Sequence, residues 1–168
     1  MVRTVNPLAQ PSQVRILLPP LLRTYTDPAQ HAALACLAVW PLAARTDQRL
    51  LRTAVIAALL IDVDHAVAAR SIRPADTTAL DRRPPTHSLL VAASVSSLVA
   101  ALAGRAHGWA CFAALGSHLL HDAGDEAAPT PVLWPLRPAR QLGRRVQVAG
   151  TAALVAVSAL AAARRDRD

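Results

Sequence analysis

Residues 87–104 read HSLLVAASVSSLVAALAG and contain no Asp, Glu, Lys or Arg. A second stretch of the same kind, VQVAGTAALVAVSALAAA, occupies residues 146–163. Alanine and leucine favour helix, and at about 1.5 Å per residue each stretch is about long enough to cross a thin bilayer core. These two stretches predict membrane-spanning helices.

Three further apolar blocks accompany these stretches, and together the blocks predict an all-α fold. In chain order the blocks are 30–44, 50–69, 87–104, 107–122 and 146–163. Short connections at 45–49 and 105–106 predict two antiparallel helix pairs. We therefore predict a membrane-embedded bundle of about five helices, packed through small residues. Because three of the blocks are short or carry charges, a soluble helical bundle is the alternative.

The two ends of the chain differ in composition from the apolar blocks. Residues 1–28 carry too many prolines for a helix interior, so they are predicted to be a disordered extension or a stretch upstream of the true start. Residues 29–163 then form the helical membrane domain, and 164–168 form a charged tail. The net charge of +7 comes from arginines grouped between apolar blocks, which is typical of membrane flanks and argues against a nucleic-acid partner.

Histidines and aspartates lie at particular ends of the apolar blocks. The positions are His31 at the start of the first block, Asp62, Asp64 and His65 late in the second, His87 at the start of the third, and His118 and Asp122 at the end of the fourth. Because consecutive helices alternate in direction, all four positions lie at one end of the bundle. Polar side chains inside a membrane protein are costly and are usually functional, so this convergence predicts a site.

The spacing of these residues favours a metal site. His118 and Asp122 are four residues apart and share a helix face, as do Asp62 and His65, which are three apart. Asp64 points about 100° away from His65, so it can serve a second ion or a water. Imidazole and carboxylate ligands suit zinc, manganese or iron without selecting among them. The predicted ligands are His31, Asp62, Asp64, His65, His87, His118 and Asp122.

The ordinary interpretation of any one of these residues is a helix cap or a solvated side chain, and only their joint placement points to a metal. Two further histidines do not fit the pattern. His107 falls at the opposite end of the bundle, and His121 is one residue off the stripe of His118 and Asp122. Both are predicted to be structural, although His121 can act as an outer ligand.

The same residues resemble the motifs of a known family. Residues 60–65, LIDVDH, resemble L-P-D-I-D-H, and residues 83–90, RPPTHSLL, resemble the end of H-R-G-x-T-H-S-L-L. Residues 116–122, GSHLLHD, resemble G-Y-x-S-H-x-x-x-D, and residues 132–136, VLWPL, resemble V-P-L-L-W-P. With His31 as an early histidine, about residues 30–140 resemble the YdjM-like family of inner-membrane metal-dependent hydrolases.

The resemblance implies a bacterial inner-membrane protein with a divalent metal and a hydrolytic activity. The family's association with the SOS repressor is not carried over to this chain. Arg82 stands where the family has histidine, and Ile61 replaces the proline before D-x-D-H. The lost histidine can reduce two metal ions to one or leave an inactive relative, and Asp81 and Asp125 are the candidate substitutes.

Hydrolysis by a metal-activated water is the simplest chemistry for such ligands. His65, His87, His118 and Asp122 are the predicted core ligands, Asp64 the predicted base, and Arg83 the group that holds an anion such as a phosphate. The expected partner is the lipid bilayer, and the expected substrate is an anionic small molecule or a lipid-related phosphoester. The sequence does not predict the oligomeric state.

The sequence also bears on the orientation of the bundle in the membrane, and it leaves two rival functions open. A small excess of arginines at the site end predicts that this end faces the cytoplasm. One rival is a non-enzymatic membrane protein in which a metal or polar cluster locks the bundle. The other is a transporter or a haem-binding bundle, although a transporter needs polar residues through the depth of the bundle, and blocks 87–104 and 146–163 lack them.

Overall fold

The computed structural model describes residues 20–73, 76–77, 80–124 and 128–165. Its helices are α1 (Pro20–Ala43), α2 (Arg49–Leu60), α3 (Val63–Ala69), α4 (Leu89–Ala103), α5 (Arg105–Gly124) and α6 (Arg144–Arg165). The predicted all-helical class is confirmed for this part of the chain. The five apolar blocks correspond to α1, to α2 with α3, and to α4, α5 and α6.

Helix α5 is the centre of the bundle. It packs against α1, α2, α4 and α6, and most of its residues from Gly108 to Ala123 are buried. The core around it is largely alanine, including Ala38, Ala58 and Ala114. Small side chains let the helix backbones approach closely. Helix α5, which is apolar around its circumference, is therefore buried by its four neighbouring helices.

Two glycines fix the hairpin between α4 and α5. Gly104 joins the helices with φ 96° and ψ 160°, a conformation that residues with a Cβ rarely adopt. One turn later, a Cβ on Gly108 would overlap the Cβ of Ala100. Both positions therefore require glycine, and they set the close approach of the two helices.

The second apolar block is not one continuous helix, which corrects the sequence prediction. Helix α2 ends at Leu60 and α3 begins at Val63. Between them the backbone N–H of Asp64 donates to Ile61 O at 3.2 Å, and that of His65 donates to Asp62 O at 3.1 Å. These i to i−3 bonds tighten the turn and change the direction of the side chains of the D-x-D-H segment.

Helix α1 begins ten residues before the predicted block, at Pro20, and continues through Pro28 and Pro41. Each proline removes one backbone donor without ending the helix. The domain boundary predicted at residue 28 therefore does not mark the start of the helix. For the same reason His31 lies inside α1 rather than at its first turn. Residues 1–19, the rest of the predicted extension, lie outside the described residues.

Ser88 is the N-cap of α4. The hydroxyl of Ser88 accepts a hydrogen bond from the backbone N–H of Val91 at 3.4 Å. The backbone N–H of Leu89 donates to Val132 O at 2.9 Å, which ties the connection after α5 to the start of α4. The hydroxyl of Thr86 instead donates to Asp64 in the first turn of α3.

Helix α6 has the length and the apolar composition of a membrane-spanning helix. Of the helices that the structure describes, it alone is both long and apolar enough to cross a membrane, over Arg144–Arg164. Only 17% of its apolar window is buried inside the protein, so it is not an ordinary core helix. Helix α4 is also apolar but has only 15 residues. Helix α6 includes the first two residues of the predicted charged tail, and residues 166–168 are not described.

Candidate metal centre

The helix arrangement brings the seven predicted ligands into one cluster. Helix α1 supplies His31, the turn between α2 and α3 with the start of α3 supplies Asp62, Asp64 and His65, the segment before α4 supplies His87, and α5 supplies His118 and Asp122. The juxtaposition predicted from helix direction is therefore observed. Whether these side chains bind metal is a separate question, which their geometry addresses.

One oxygen of Asp62 is the meeting point of three imidazoles. Asp62 Oδ1 lies 3.3 Å from His65 Nδ1, 3.3 Å from His118 Nε2 and 3.6 Å from His87 Nε2. The contact with His65 confirms that the i,i+3 pair shares a face even in the tightened turn. Asp62 thus links the start of α3, the segment before α4 and the central helix α5.

The two oxygens of Asp122 face different partners. Oδ2 lies 3.4 Å from the Nε2 atoms of both His87 and His118. Oδ1 lies 3.0 Å from an Arg83 guanidinium nitrogen and 3.6 Å from His31 Nε2. The side chain is completely buried, so the arginine supplies the positive charge that a buried carboxylate requires.

The Nε2 atoms of His87 and His118 face the cluster because their Nδ1 atoms are held elsewhere. His118 Nδ1 lies 3.0 Å from the carbonyl oxygen of Ala58, to which it can donate only when Nδ1 carries the proton. His87 Nδ1 lies 3.1 Å from Asp64 Oδ2, which also accepts the hydroxyl of Thr86. Such contacts are typical of metal-binding histidines, since they leave the Nε2 lone pair for the metal.

The innermost atoms of the cluster fit a cation. The Nε2 atoms of His87 and His118 and the Oδ2 atom of Asp122 are buried, with no hydrogen-bond partner among the described residues. His87, His118 and Asp122 each offer an atom within 4.8 Å of the others' atoms, and so do His31, Asp62 and His118. Buried polar atoms are normally hydrogen-bonded, so lone pairs that converge in this way would suit a cation.

Burial and electrostatics also favour a cation. Burial opposes the charged form of Asp62, but the nearby imidazoles of His118, His65 and His87 outweigh it and hold the pKa of Asp62 well below its usual value. Burial also disfavours the charged form of His87, but contacts with Asp62, Asp64 and Asp122 raise its pKa above the usual value. The Asp62 carboxylate is therefore ionised, and it attracts positive charge whether that charge is a proton on imidazole or a metal ion.

The cluster is closed at its centre and open at its edge. The side chains of His87, His118 and Asp122 have no exposed surface, whereas that of Asp62 is 28% exposed and that of Asp64 is 18% exposed. A molecule reaching the cluster from solvent would therefore meet the D-x-D-H segment first.

Two residues of the cluster were not among the predicted ligands. Asp27 Oδ1 lies 3.5 Å from His121 Nε2 and 3.8 Å from His31 Nε2. Asp27 was assigned to the proline-rich extension, although its i,i+4 spacing to His31 was a signal for a shared helix face. His121 was predicted to lie off the helix face of His118 and Asp122. That prediction considered only α5 and did not include the partner of His121 on α1, Asp27.

The remaining polar residues behave in three ways. His107 lies away from the cluster, where its Nδ1 is 2.8 Å from the hydroxyl of Thr53, as the structural interpretation predicted. Asp81, a candidate replacement for the missing histidine, is exposed and belongs to none of the possible metal-binding groups among the described residues. Asp125, the other candidate, lies outside the described residues.

A comparison with protein families agrees with the motifs in the chain. The family model described as YdjM inner membrane protein matches residues 27–167, a range that contains every residue of the cluster. No curated protein and no solved structure matches the chain.

Proposed function

This chain belongs to the YdjM inner membrane protein family, and we propose that it is a multi-pass, metal-dependent hydrolase of phosphoesters at the membrane surface. One observation carries the proposal. The Nε2 atoms of His87 and His118 and the Oδ2 atom of Asp122 converge, buried and without hydrogen-bond partners in the described part of the chain. A set of this composition suits zinc, manganese or iron.

The exposed surface of the helices supports a location within the bilayer. Leu98 and Leu102 on α4 and Leu160 on α6 are each more than half exposed, on helices with hardly any charged residues between their ends. Large exposed apolar side chains on helices with so few charges are unusual in a soluble monomer. We place the bundle across the inner membrane with the cluster at its cytoplasmic end, as the distribution of arginines predicts.

A divalent ion held by His87, His118 and Asp122, with Asp62 beside them, would polarise a phosphoryl oxygen and lower the pKa of a bound water. The protein's own contribution is to hold the ligands in place. Ala58 O and Asp64 Oδ2 orient the two imidazoles, and Arg83 orients Asp122. Such outer contacts are typically worth about 10- to 100-fold in metal affinity or activity.

The substrate side of the site is the D-x-D-H edge. Of the two carboxylates there, Asp62 is the more exposed, so a molecule that enters from solvent would meet Asp62 first. Asp64 was predicted as the base, but its Oδ2 is engaged with His87 and Thr86, so we assign it a positioning role. Arg83 retains guanidinium donors beyond the one at Asp122, which suits an anionic phosphate.

One observation favours a second candidate function, in which the metal only stabilises the bundle. The three innermost ligands have no exposed surface, and structural metal sites are typically closed, whereas catalytic sites keep an open position. In that case the protein binds metal with similar affinity but turns over no substrate.

The experiment that tests the proposal combines metal analysis with a phosphoesterase screen. The full chain is purified in detergent, its metal content is measured by mass spectrometry, and hydrolysis of nitrophenyl phosphate mono- and diesters and of phosphatidic acid vesicles is followed. We expect bound metal in the wild type, and a His118→Ala variant should lose at least about 100-fold in metal affinity and lose turnover, since a ligand is worth more than an outer contact.

The matched control is His107→Ala, which removes a histidine from the same helix away from the cluster and should leave metal content and turnover unchanged. Bound metal without turnover on any of these esters would support the structural role instead. A wild-type protein without bound metal, even after incubation with zinc, manganese and iron, would refute both.

A further inference from the structure

Three side chains beside the proposed metal centre form a second possible ligand set. Asp27 and His31 lie one turn apart on α1, and His121 lies on α5 next to Asp122. The carboxylate oxygen of Asp27 is 3.5 Å from His121 Nε2 and 3.8 Å from His31 Nε2, and the ring centroids of the two histidines are 4.7 Å apart. One atom from each of the three lies within 4.8 Å of the other two.

This set shares no residue with His87, His118 and Asp122. The other possible groups around Asp62 overlap with that first set or with one another, so they cannot all hold separate ions. The group of Asp27, His31 and His121 is different, because it can be filled while the first set is also filled. Asp122 lies between the two, since its Oδ2 faces His87 and His118 and its Oδ1 faces His31.

Helix α6 orients the ring of His121 through a contact on the side away from Asp27. Its Nδ1 lies 2.9 Å from the side-chain amide of Gln147, which leaves Nε2 facing Asp27. Gln147 can occupy this position because residue 124 is glycine: a Cβ there would lie 2.8 Å from the Gln147 Cβ. When a cation takes the Nε2 lone pair, the ring proton resides on Nδ1, and the Gln147 amide turns to accept it through its oxygen.

We infer that Asp27, His31 and His121 hold a second divalent cation, so that the chain has a two-metal centre with Asp122 between the ions. The inference rests on the proposed function for its first ion. A two-metal centre narrows the substrate class, because paired ions clamp the attacking and leaving oxygens of phosphoryl groups. His31 thereby serves the second ion rather than the first, and His121, which the motif pattern leaves out, becomes a ligand.

The test measures metal stoichiometry, which does not depend on turnover. The full chain in detergent is stripped of metal and titrated with Mn²⁺ and, separately, with Zn²⁺, and the bound ion is counted after gel filtration. We expect two equivalents in the wild type and one in His121→Ala and in Asp27→Asn. Loss of helix content, followed by circular dichroism, would identify a variant that fails to fold, and the more exposed Asp27 provides the safer substitution.

Variants of Gln147 sharpen the test without removing a ligand. Gln147→Leu should weaken the second equivalent by about 10- to 100-fold and leave the first unchanged, whereas Gln147→Glu, a stronger acceptor for Nδ1–H, should strengthen it. His107→Ala should keep both equivalents. One wild-type equivalent that His118→Ala abolishes and His121→Ala preserves would overturn the second site and leave the first standing. No bound metal at all would overturn the proposed function itself.

Discussion

His107 and His118 lie on the same helix, α5, about three turns apart, and their surroundings have little in common. His107 pairs with one hydroxyl, that of Thr53, at the end of the bundle where α4 and α5 are joined. The ring of His118 stacks on His31 at 3.6 Å, and its two nitrogens face Ala58 O on one side and Asp62 and Asp122 on the other.

The difference arises from what each end of the bundle brings together. At the end of His118, α1, the turn after α2, the segment before α4 and the last turns of α5 each supply an ionisable side chain. His107 contacts the Thr53 hydroxyl, and nearby on α5 the Trp109 indole donates to Ser158 at 2.9 Å. An imidazole becomes a candidate ligand through the convergence of other donors, not through its position on a helix.

The largest effect on stability is expected from removing the cation beside the cluster. Arg83→Met leaves the Asp122 carboxylate buried without its arginine, and breaking a buried pair of this kind should destabilise the metal-free protein by about 3 kcal/mol. Denaturant unfolding in detergent micelles measures it. Arg105→Met, an exposed arginine near His107, is the matched control and should stay within about 0.5 kcal/mol of wild type. Equal losses in both variants would contradict the contrast between the two ends.

A smaller effect is expected from Asp64. Asp64→Ala removes the acceptor that orients His87 and should weaken metal binding by about tenfold. Asp64→Asn keeps an acceptor oxygen at the same position and should lose less. Competition with a chelating dye gives both affinities. If Asp64→Asn instead kept full metal affinity but lost all turnover, the residue would act as the base that the sequence suggested.

The smallest effect is expected at the other end. Thr53→Val removes the hydroxyl that contacts His107 and should cost no more than about 1 kcal/mol of unfolding free energy, since one partly solvated hydrogen bond is lost. Metal content should not change. A loss of bound metal in Thr53→Val would mean that the two ends are coupled through α5, which their contacts do not predict.

Much of the fold and of the site followed from the order of residues. The charge-free stretches predicted α4 and α6 to within two residues at each end. Alternating helix direction predicted that His31, His87 and His118 would meet, because a hairpin returns the chain to the end from which it left.

The errors came from side chains whose partners are distant in sequence. Asp27 was assigned to the extension of residues 1–28 because of the prolines there, although α1 continues through Pro28. Asp64 was assigned by helical angle, but the tightened turn between α2 and α3 directs it to His87 and Thr86. His121 was assigned a structural role because it does not share a helix face with His118 and Asp122. That argument considers α5 alone, whereas the partners of His121 lie on α1 and α6.

The sequence by itself determined the helical class, the apolar helices and the end of the bundle at which the polar residues gather. These depend on composition, periodicity and chain direction, which are local properties. Tertiary structure alone decided which nitrogen of each imidazole faces the cluster, that Arg83 lies against Asp122, and that Asp27 joins His121. Such contacts depend on the packing of helices to within an ångström or two, and the pairs of atoms concerned belong to segments tens of residues apart.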